Sequence, residues 1–264
     1  MLHDLIVYTD IGDDIDDSLA LRYLQKKSYI RNFIIVFYSH ESEKRNHGWS
    51  LIEPFFEKKP IIVQWNDTSI LQHFLETRKR DISLDVFCIW PATNLAHHIT
   101  TLPQYKSHIH KLILQARMKY DWWLFVPDPE SYNYKEDVHA ATIISQLDVP
   151  IFWIGKYTAY QIWLDEKHFQ KREKGDIGKI LYREWLYRRK RFAEVNPTKC
   201  DQVYGHCGHV ISFPYDLIAA IAMYHPEYFQ RVHQEQNSCC GHDVEHCFKV
   251  DKNIVYSEID GMFV

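Results

Sequence analysis

The apolar run Leu5-Ile6-Val7-Tyr8 passes almost directly into Asp10-Ile11-Gly12-Asp13-Asp14-Ile15-Asp16-Asp17, five aspartates in eight residues. The run reads as a buried strand, and Ser18-Leu19-Ala20-Leu21 opens a helix with apolar residues at helical spacing. The carboxylates therefore fill the loop where strand gives way to helix. One aspartate there is accounted for as a helix cap, a role carboxylates fill well at an N-terminus. Five are not. Like charges this close raise one another's pKa unless something positive lies among them. An oxygen-rich cluster suits a hard divalent cation, Ca²⁺ or Mg²⁺, better than zinc. Acids at the mouth of a strand also stand where open parallel sheets bind ligands. The stretch reads as a metal or ligand site.

Downstream, strand-like and helix-like segments alternate. Residues 32–38, 60–65, 84–90, 112–114 and 149–154 read as buried strands. Residues 41–58, 68–80, a segment from Thr93 and residues 136–147 read as helices between them. Continuous apolar strands separated by helices predict an α/β fold, an open and mostly parallel sheet flanked by helices. With no repeat, low-complexity tract or Pro/Gly-rich linker, one domain over 1–264 is the economical expectation. A net charge of −4 argues against nucleic acid as a partner, and no apolar run approaches a membrane span. Six cysteines with no leader segment read as reduced thiols, so the expected compartment is the cytoplasm.

Two segments break the rhythm. Between Lys167 and Arg191 stand ten Lys/Arg against three acids, with Trp185 and Tyr187 interspersed. A solvated helical face accounts for them; a cover over the acidic pocket or a surface for an anionic ligand is the sharper alternative. The tail carries Cys200, His206, Cys207, His209, Cys239, Cys240, His242, His246 and Cys247. No clean pair of Cys-x₂₋₄-Cys knuckles is present, so unliganded thiols and loop histidines are expected over structural zinc.

Thr9-Asp10-Ile11-Gly12-Asp13-Asp14-Ile15-Asp16-Asp17 followed by Ser18-Leu19-Ala20-Leu21 resembles the N-terminal motif of the inosine–uridine-preferring nucleoside hydrolases. Three further stretches follow in that family's order. Ile89-Trp90-Pro91-Ala92-Thr93-Asn94-Leu95-Ala96 resembles its Gly-Pro-Leu-Thr-Asn-Leu-Ala turn. Asn133 with Asp137, Ala140 and Ala141 resembles its Glu-Phe-Asn…Asp-Pro-x-Ala-Ala segment. Phe213-Pro214-Tyr215-Asp216-Leu217-Ile218-Ala219-Ala220 resembles its late His-Asp motif. Taken alone, Thr93-Asn94 and Asp216 would read as helix caps and Asn133 as a loop asparagine. Their joint order is what independent caps would not reproduce.

The resemblance implies a Ca²⁺-dependent N-ribohydrolase acting on a small ribosylated substrate, with a homo-oligomer possible. By position it places the metal on Asp10, Asp17, the Thr93 carbonyl and Asp216. Asp16 and Asn133 would bind the 2′ and 3′ hydroxyls, and Asp10 would be the general base, with Asp14 the nearest alternative. Tyr215 stands where relatives carry the His that serves the leaving base. The donor chemistry agrees: Ca²⁺ wants six to eight oxygens, which carboxylates, a carbonyl, water and a cis-diol supply.

The chain also departs from that pattern. Ser39-His40 replaces a Gly-Asn pair, leaving His40 as a substrate-binding candidate, and Gln115-Ala116-Arg117 replaces Met-Gly-Gly. Ser131 aligns with the Glu that would reach the 5′-hydroxyl, with Glu130 one residue away. Most of the lid loop is missing. The metal and diol half is kept while the 5′ and base half is rewritten. Arg117 would suit a 5′-phosphate, unless it pairs with Asp121 or Glu130. A protein that keeps the fold and metal but only binds a ribosylated ligand or a protein partner is the alternative function. A haloacid-dehalogenase-like phosphatase fits less well, because Asp10-Ile11-Gly12 lacks the second Asp of Asp-x-Asp.

Overall fold

A computed structural model describes residues 2–12, 15–38, 42–89, 91–115, 118–121, 124–127, 132–165, 179, 182–183, 210–212, 214–234 and 244–262. The strands are β1 (His3–Thr9), β2 (Ile30–Phe37), β3 (Ile61–Gln64), β4 (Ser83–Cys88), β5 (Ile109–Gln115), β6 (Met118–Asp121), β7 (Leu124–Pro127), β8 (Ile151–Ile154), β9 (Leu164–Asp165), β10 (Val210–Ser212), β11 (Phe229–Gln234) and β12 (Val244–Val250). Eight of them form one sheet in the order β11-β12-β8-β5-β4-β1-β2-β3. Every pairing in it is parallel except β11 with β12. The expected mostly parallel sheet is therefore present.

Every residue of β1 is buried, and Val7 lies in register with Ile35 of β2 and Phe87 of β4. Its side chains alternate faces as a strand requires. Leu5 and Val7 enter one core cluster, Ile6 and Tyr8 the other. The first face is covered by α1 (Asp16–Gln25) and, later in the chain, by helices Tyr215–Tyr224 and Lys252–Met262. The second is covered by α3 (Thr68–Thr77), α4 (Thr93–Thr101) and α7 (Val138–Ser145). Burial of each full-sized aliphatic side chain contributes roughly 1.5–3 kcal/mol, so this two-sided layer holds the central strands firmly. Their C-terminal ends are thereby fixed along one edge.

Several boundaries differ from the sequence reading, each for a local reason. The helix expected over 41–58 is α2 (Ser42–Ile52) followed by a short 3₁₀ turn, Glu53–Phe55, because Pro54 cannot continue an α-helix. The helix expected over 136–147 is α7, and a short helix not expected from sequence, α6 (Tyr132–Glu136), precedes it, the two divided at Asp137. The Asp137 side chain accepts from the Ala140 N–H and caps α7. The antiparallel hairpin β6–β7 and the edge pair β11–β12 are elements the apolar pattern did not reveal. Short α5 (Tyr105–His108) and α8 (Lys156–Ala159) complete the helices before residue 165. Among the described residues no helix is long and apolar enough to cross a membrane. Most of the basic segment and most of the Cys/His-rich tail lie outside the described residues. Of the basic segment, Tyr182 packs against the first core cluster.

Candidate active site

The aspartate loop leaves β1 after Thr9 and turns at Gly12, whose φ of 119° favours glycine. The turn is pressed from outside by α2: a Cβ at Gly48 would stand 2.8 Å from the Gly12 Cα. Two glycines thus allow a helix to lie directly on the loop that carries the acids. The chain then enters α1 with Asp16 and Asp17 in its first turn.

The third carboxylate comes from far along the chain. Helix α9 (Tyr215–Tyr224) begins after Pro214 and packs beside α1, so the N-termini of both helices meet at the same edge of the sheet. Carboxylates are favoured at helix N-termini, where backbone N–H groups and the helix dipole offer partial positive charge. Ligand oxygens of Asp16, Asp17 and Asp216 lie within 4.8 Å of one another. All three residues are buried, at 6%, 2% and 5% exposure. Burial, then the charges of Asp16, Asp17 and Asp10, pushes the Asp216 carboxyl far above the usual carboxylate range. Asp10 is half-buried and lies beside the trio, near enough for its charge to be felt there. The metal set expected from sequence had Asp10 where the structure brings in Asp16.

The donors fit a hard cation. Two coordination bonds of about 2.3–2.6 Å span roughly 5 Å, so oxygens within 4.8 Å of one another can share one Ca²⁺. The trio offers oxygen alone, which selects against zinc. A neighbouring residue holds one of these oxygens in place. The Thr9 hydroxyl donates to Asp17 Oδ1 and itself accepts from the Ile11 N–H at 3.1 Å. The Asp17 N–H donates to Asp16 Oδ1 at 3.2 Å.

The other face of the sheet contributes Thr93 and Asn133. Thr93 is the first residue of α4, whose N-cap is Ala92; its hydroxyl donates to Asp137 Oδ2 at 2.8 Å. Asp137 therefore ties the starts of α4 and α7 together. The Thr93 carbonyl belongs to the first helical turn and accepts within its own helix, leaving its second lone pair for any ligand. Next to it, Asn94 Oδ1 is buried with no hydrogen-bond donor among the described residues. Asn133 lies within α6, not in a loop, and its amide nitrogen donates to Gln115 at the end of β5. Tyr215 opens α9 and meets Tyr160 edge to face, with ring centroids 5.5 Å apart. Tyr38 faces the same side, its phenol raised by burial and then by Glu136, Asp137 and Asp10. His40, Arg117, Glu130 and Asp14 lie outside the described residues.

Sequence reasoning gave no role to Thr9, Asp137 or Gln115. Thr9 and Asp137 stood inside the quoted motifs, so their place was visible even though their partners were not. Gln115 stood in the Gln115-Ala116-Arg117 stretch that departs from the family pattern, but nothing there said what it would hold.

No protein-family model matches the chain, and no curated protein matches it. Solved structures do. A plant nucleoside hydrolase aligns with TM-score 0.71 and 16% identity, over 100% of this chain and 99% of that one. The inosine-uridine preferring nucleoside hydrolase from Bacillus anthracis aligns with TM-score 0.66 and 12% identity, over 99% of each chain. The type III effector protein XopQ, solved with adenosine diphosphate ribose, aligns with TM-score 0.75 and 15% identity, over 100% of this chain and 95% of that one. The chain has the nucleoside-hydrolase fold. At these identities the likeness speaks for the architecture, and the chemistry has to be argued from the site.

Proposed function

We propose that the protein is a divergent nucleoside hydrolase: a Ca²⁺-dependent N-ribohydrolase that converts a ribosylated substrate and water to free base and ribose or a 5′-modified ribose. The observation that carries this reading is the buried Asp16–Asp17–Asp216 trio, at the strand ends of a nucleoside-hydrolase fold. Buried carboxylates repel one another strongly, and a site that gathers them is built around a cation. Asp16, Asp17 and Asp216, with Asp10 and the Thr93 carbonyl at the margin, would hold it. When bound, a divalent cation lowers the pKa of water and anchors a cis-diol.

The chain's own groups account for the remaining work. Asp10, more exposed than the trio, accepts the proton of the attacking water in this reading. Cleavage of the N-glycosidic bond spreads positive charge over C1′ and the ring oxygen. Fixed carboxylates stabilise that charge without reorganising as it forms. Asp16 and Asn133 hold the two ribose hydroxyls, which keeps the ring oriented for attack. Tyr215 serves the leaving base as a hydrogen-bond donor or stacking partner, a weaker acid than the His of the family pattern. His40, Glu130 and Arg117 remain candidates for the rest of the substrate, with Arg117 suited to a 5′-phosphate.

A second reading is a binder of ribosylated ligands without turnover. It is favoured by the similarity to XopQ, whose structure holds adenosine diphosphate ribose, and by Tyr215 in place of the histidine. A screen of nucleosides, 5′-nucleotides and adenosine diphosphate ribose separates the two. Free base with reducing sugar supports the hydrolase; saturable binding without either product supports the binder. The cytoplasmic and single-domain expectations form part of the same proposal.

A further inference from the structure

At the opposite end of the strands from the acid trio lies a second cavity, of about 490 Å³. Ser83, which pairs with His3 at the start of β1, lines it, whereas the trio follows Thr9 at the end of that strand. Seven residues at a rise of about 3.3 Å each set the two roughly 20 Å apart.

The cavity is built around a buried guanidinium. Arg78 caps the C-terminus of α3, lines the cavity, and has a side chain only 3% exposed. Its Nε donates to Asp4 Oδ2 at 3.3 Å, its Nη1 to His108 Nδ1 at 3.4 Å, and its Nη2 to the Ile82 carbonyl. These bonds use three of a guanidinium's five N–H groups and leave two. Asp4 does not neutralise Arg78 alone, because Arg31 Nε also donates to it, at 3.1 Å. Two guanidiniums share one carboxylate, which leaves a net positive charge.

The same contact fixes the state of His108. A guanidinium only donates, so Nδ1 accepts, the ring is neutral, and its proton lies on Nε2. Burial, then the charges of Arg78 and Arg80, hold the imidazole below its ordinary value, so both cations are felt at this wall. Exposed Arg80 and the side chains of Ser83 and Gln104 add donors. Glu76 is the one acid among the described lining residues, and its Oε1 accepts from Gln72 at 2.8 Å. Asp85, outside the lining, faces His110 at 3.1 Å.

We propose that this cavity is a binding site for a small phosphate monoester, separate from the acid trio. The phosphate lies between Arg78 and Arg80, whose planar guanidiniums suit its oxygens, and the His108 Nε2–H is a third, neutral donor. The volume falls in the range of small-molecule sites and far exceeds what one ion fills, so the phosphate carries an organic body. An overall charge of −4 disfavours a long polyanion. The site stands on its own residues and requires neither a cation at the trio nor the hydrolase reading.

The test is calorimetric titration of the full chain, dialysed free of divalent cations, with ribose 5-phosphate, inorganic phosphate and ribose. Ribose 5-phosphate should bind saturably, inorganic phosphate more weakly, and ribose not at all. Arg80→Gln should weaken ribose 5-phosphate about tenfold, the worth of one charge-assisted hydrogen bond. His108→Leu should weaken it as well. Lys79→Gln removes a neighbouring exposed charge that does not line the cavity, and should match the wild type. Removing Arg78 would disturb buried Asp4 and endanger the fold, so Arg80 and His108 carry the test. No saturable binding, binding that Arg80→Gln and His108→Leu leave intact, or an equal loss in Lys79→Gln would overturn the site.

Discussion

The Thr9 hydroxyl, on the last residue of β1, donates a hydrogen bond to Asp17 in the first turn of α1. The strand thus reaches past its own loop to orient a carboxylate of the trio. Outer residues of this kind typically change metal affinity 10–100-fold when removed. Thr9→Val keeps the shape and deletes the donor. It should weaken Ca²⁺ binding by about tenfold in a calorimetric titration while the far-ultraviolet circular dichroism stays unchanged. Unaltered affinity would assign Thr9 to the Ile11 turn alone.

Asp216 shares its buried site with two other acids, so its charge costs the metal-free fold. Asp216→Asn should raise the metal-free melting temperature and abolish the rise that Ca²⁺ produces in the wild type. A ligand at 100 times its Kd stabilises by about 2.7 kcal/mol, which is readily seen by thermal melting. A variant that still gains stability from Ca²⁺ would move the cation elsewhere.

His98 is fully buried; its Nε2 contacts the Trp65 carbonyl at 3.0 Å and its Nδ1 the Tyr8 hydroxyl at 2.9 Å. Since the carbonyl only accepts, the proton lies on Nε2 and Tyr8 donates to Nδ1. Burial pushes the imidazole down to about 4, from an ordinary value near 6.5. Between those values the unfolded chain takes up a proton that the folded chain refuses. The contribution is full above about pH 6.5, falls as the pH drops, and is gone below about pH 4. It amounts to about 3 kcal/mol at roughly 1.36 kcal/mol per pH unit. Urea midpoints should fall more steeply from pH 7 to 5 in the wild type than in His98→Gln. Parallel curves would show that His98 titrates alike in both states.

Gly48→Ala places a methyl group against the Gly12 backbone. Because backbone cannot yield as a side-chain tip does, α2 or the aspartate loop must shift. Ca²⁺ affinity should fall together with stability by about 1–3 kcal/mol. A stable variant with wild-type affinity would show that the loop does not depend on α2.

What the sequence disclosed follows from which residues carry local signals. β1 and the start of α1 were legible because Leu5–Tyr8 is continuously apolar and Asp10–Asp17 is unusual in any setting. Asp216 was legible only through motif order, since nothing local says that α9 will lie beside α1. The short α6 before Asp137 was missed because Tyr132-Asn133-Tyr134-Lys135-Glu136 is a single turn with no apolar periodicity to announce it. β11 and β12 were missed because their alternating polar residues suit a sheet edge, not the apolar centre. The Gln115–Asn133 pairing joins residues 18 apart across a hairpin, a relationship no local pattern encodes.

The most direct test of a cation-dependent ribohydrolase is release of free base by protein stripped with chelator and then reloaded with Ca²⁺, comparing wild type with Asp10→Asn. Base and reducing sugar should appear in equal amounts, cease with chelator and return with Ca²⁺. Asp10→Asn should be slower by about 10²–10⁴-fold, the usual cost of losing a general base. Base release that persists in chelator, or proceeds at the same rate in Asp10→Asn, would contradict the account.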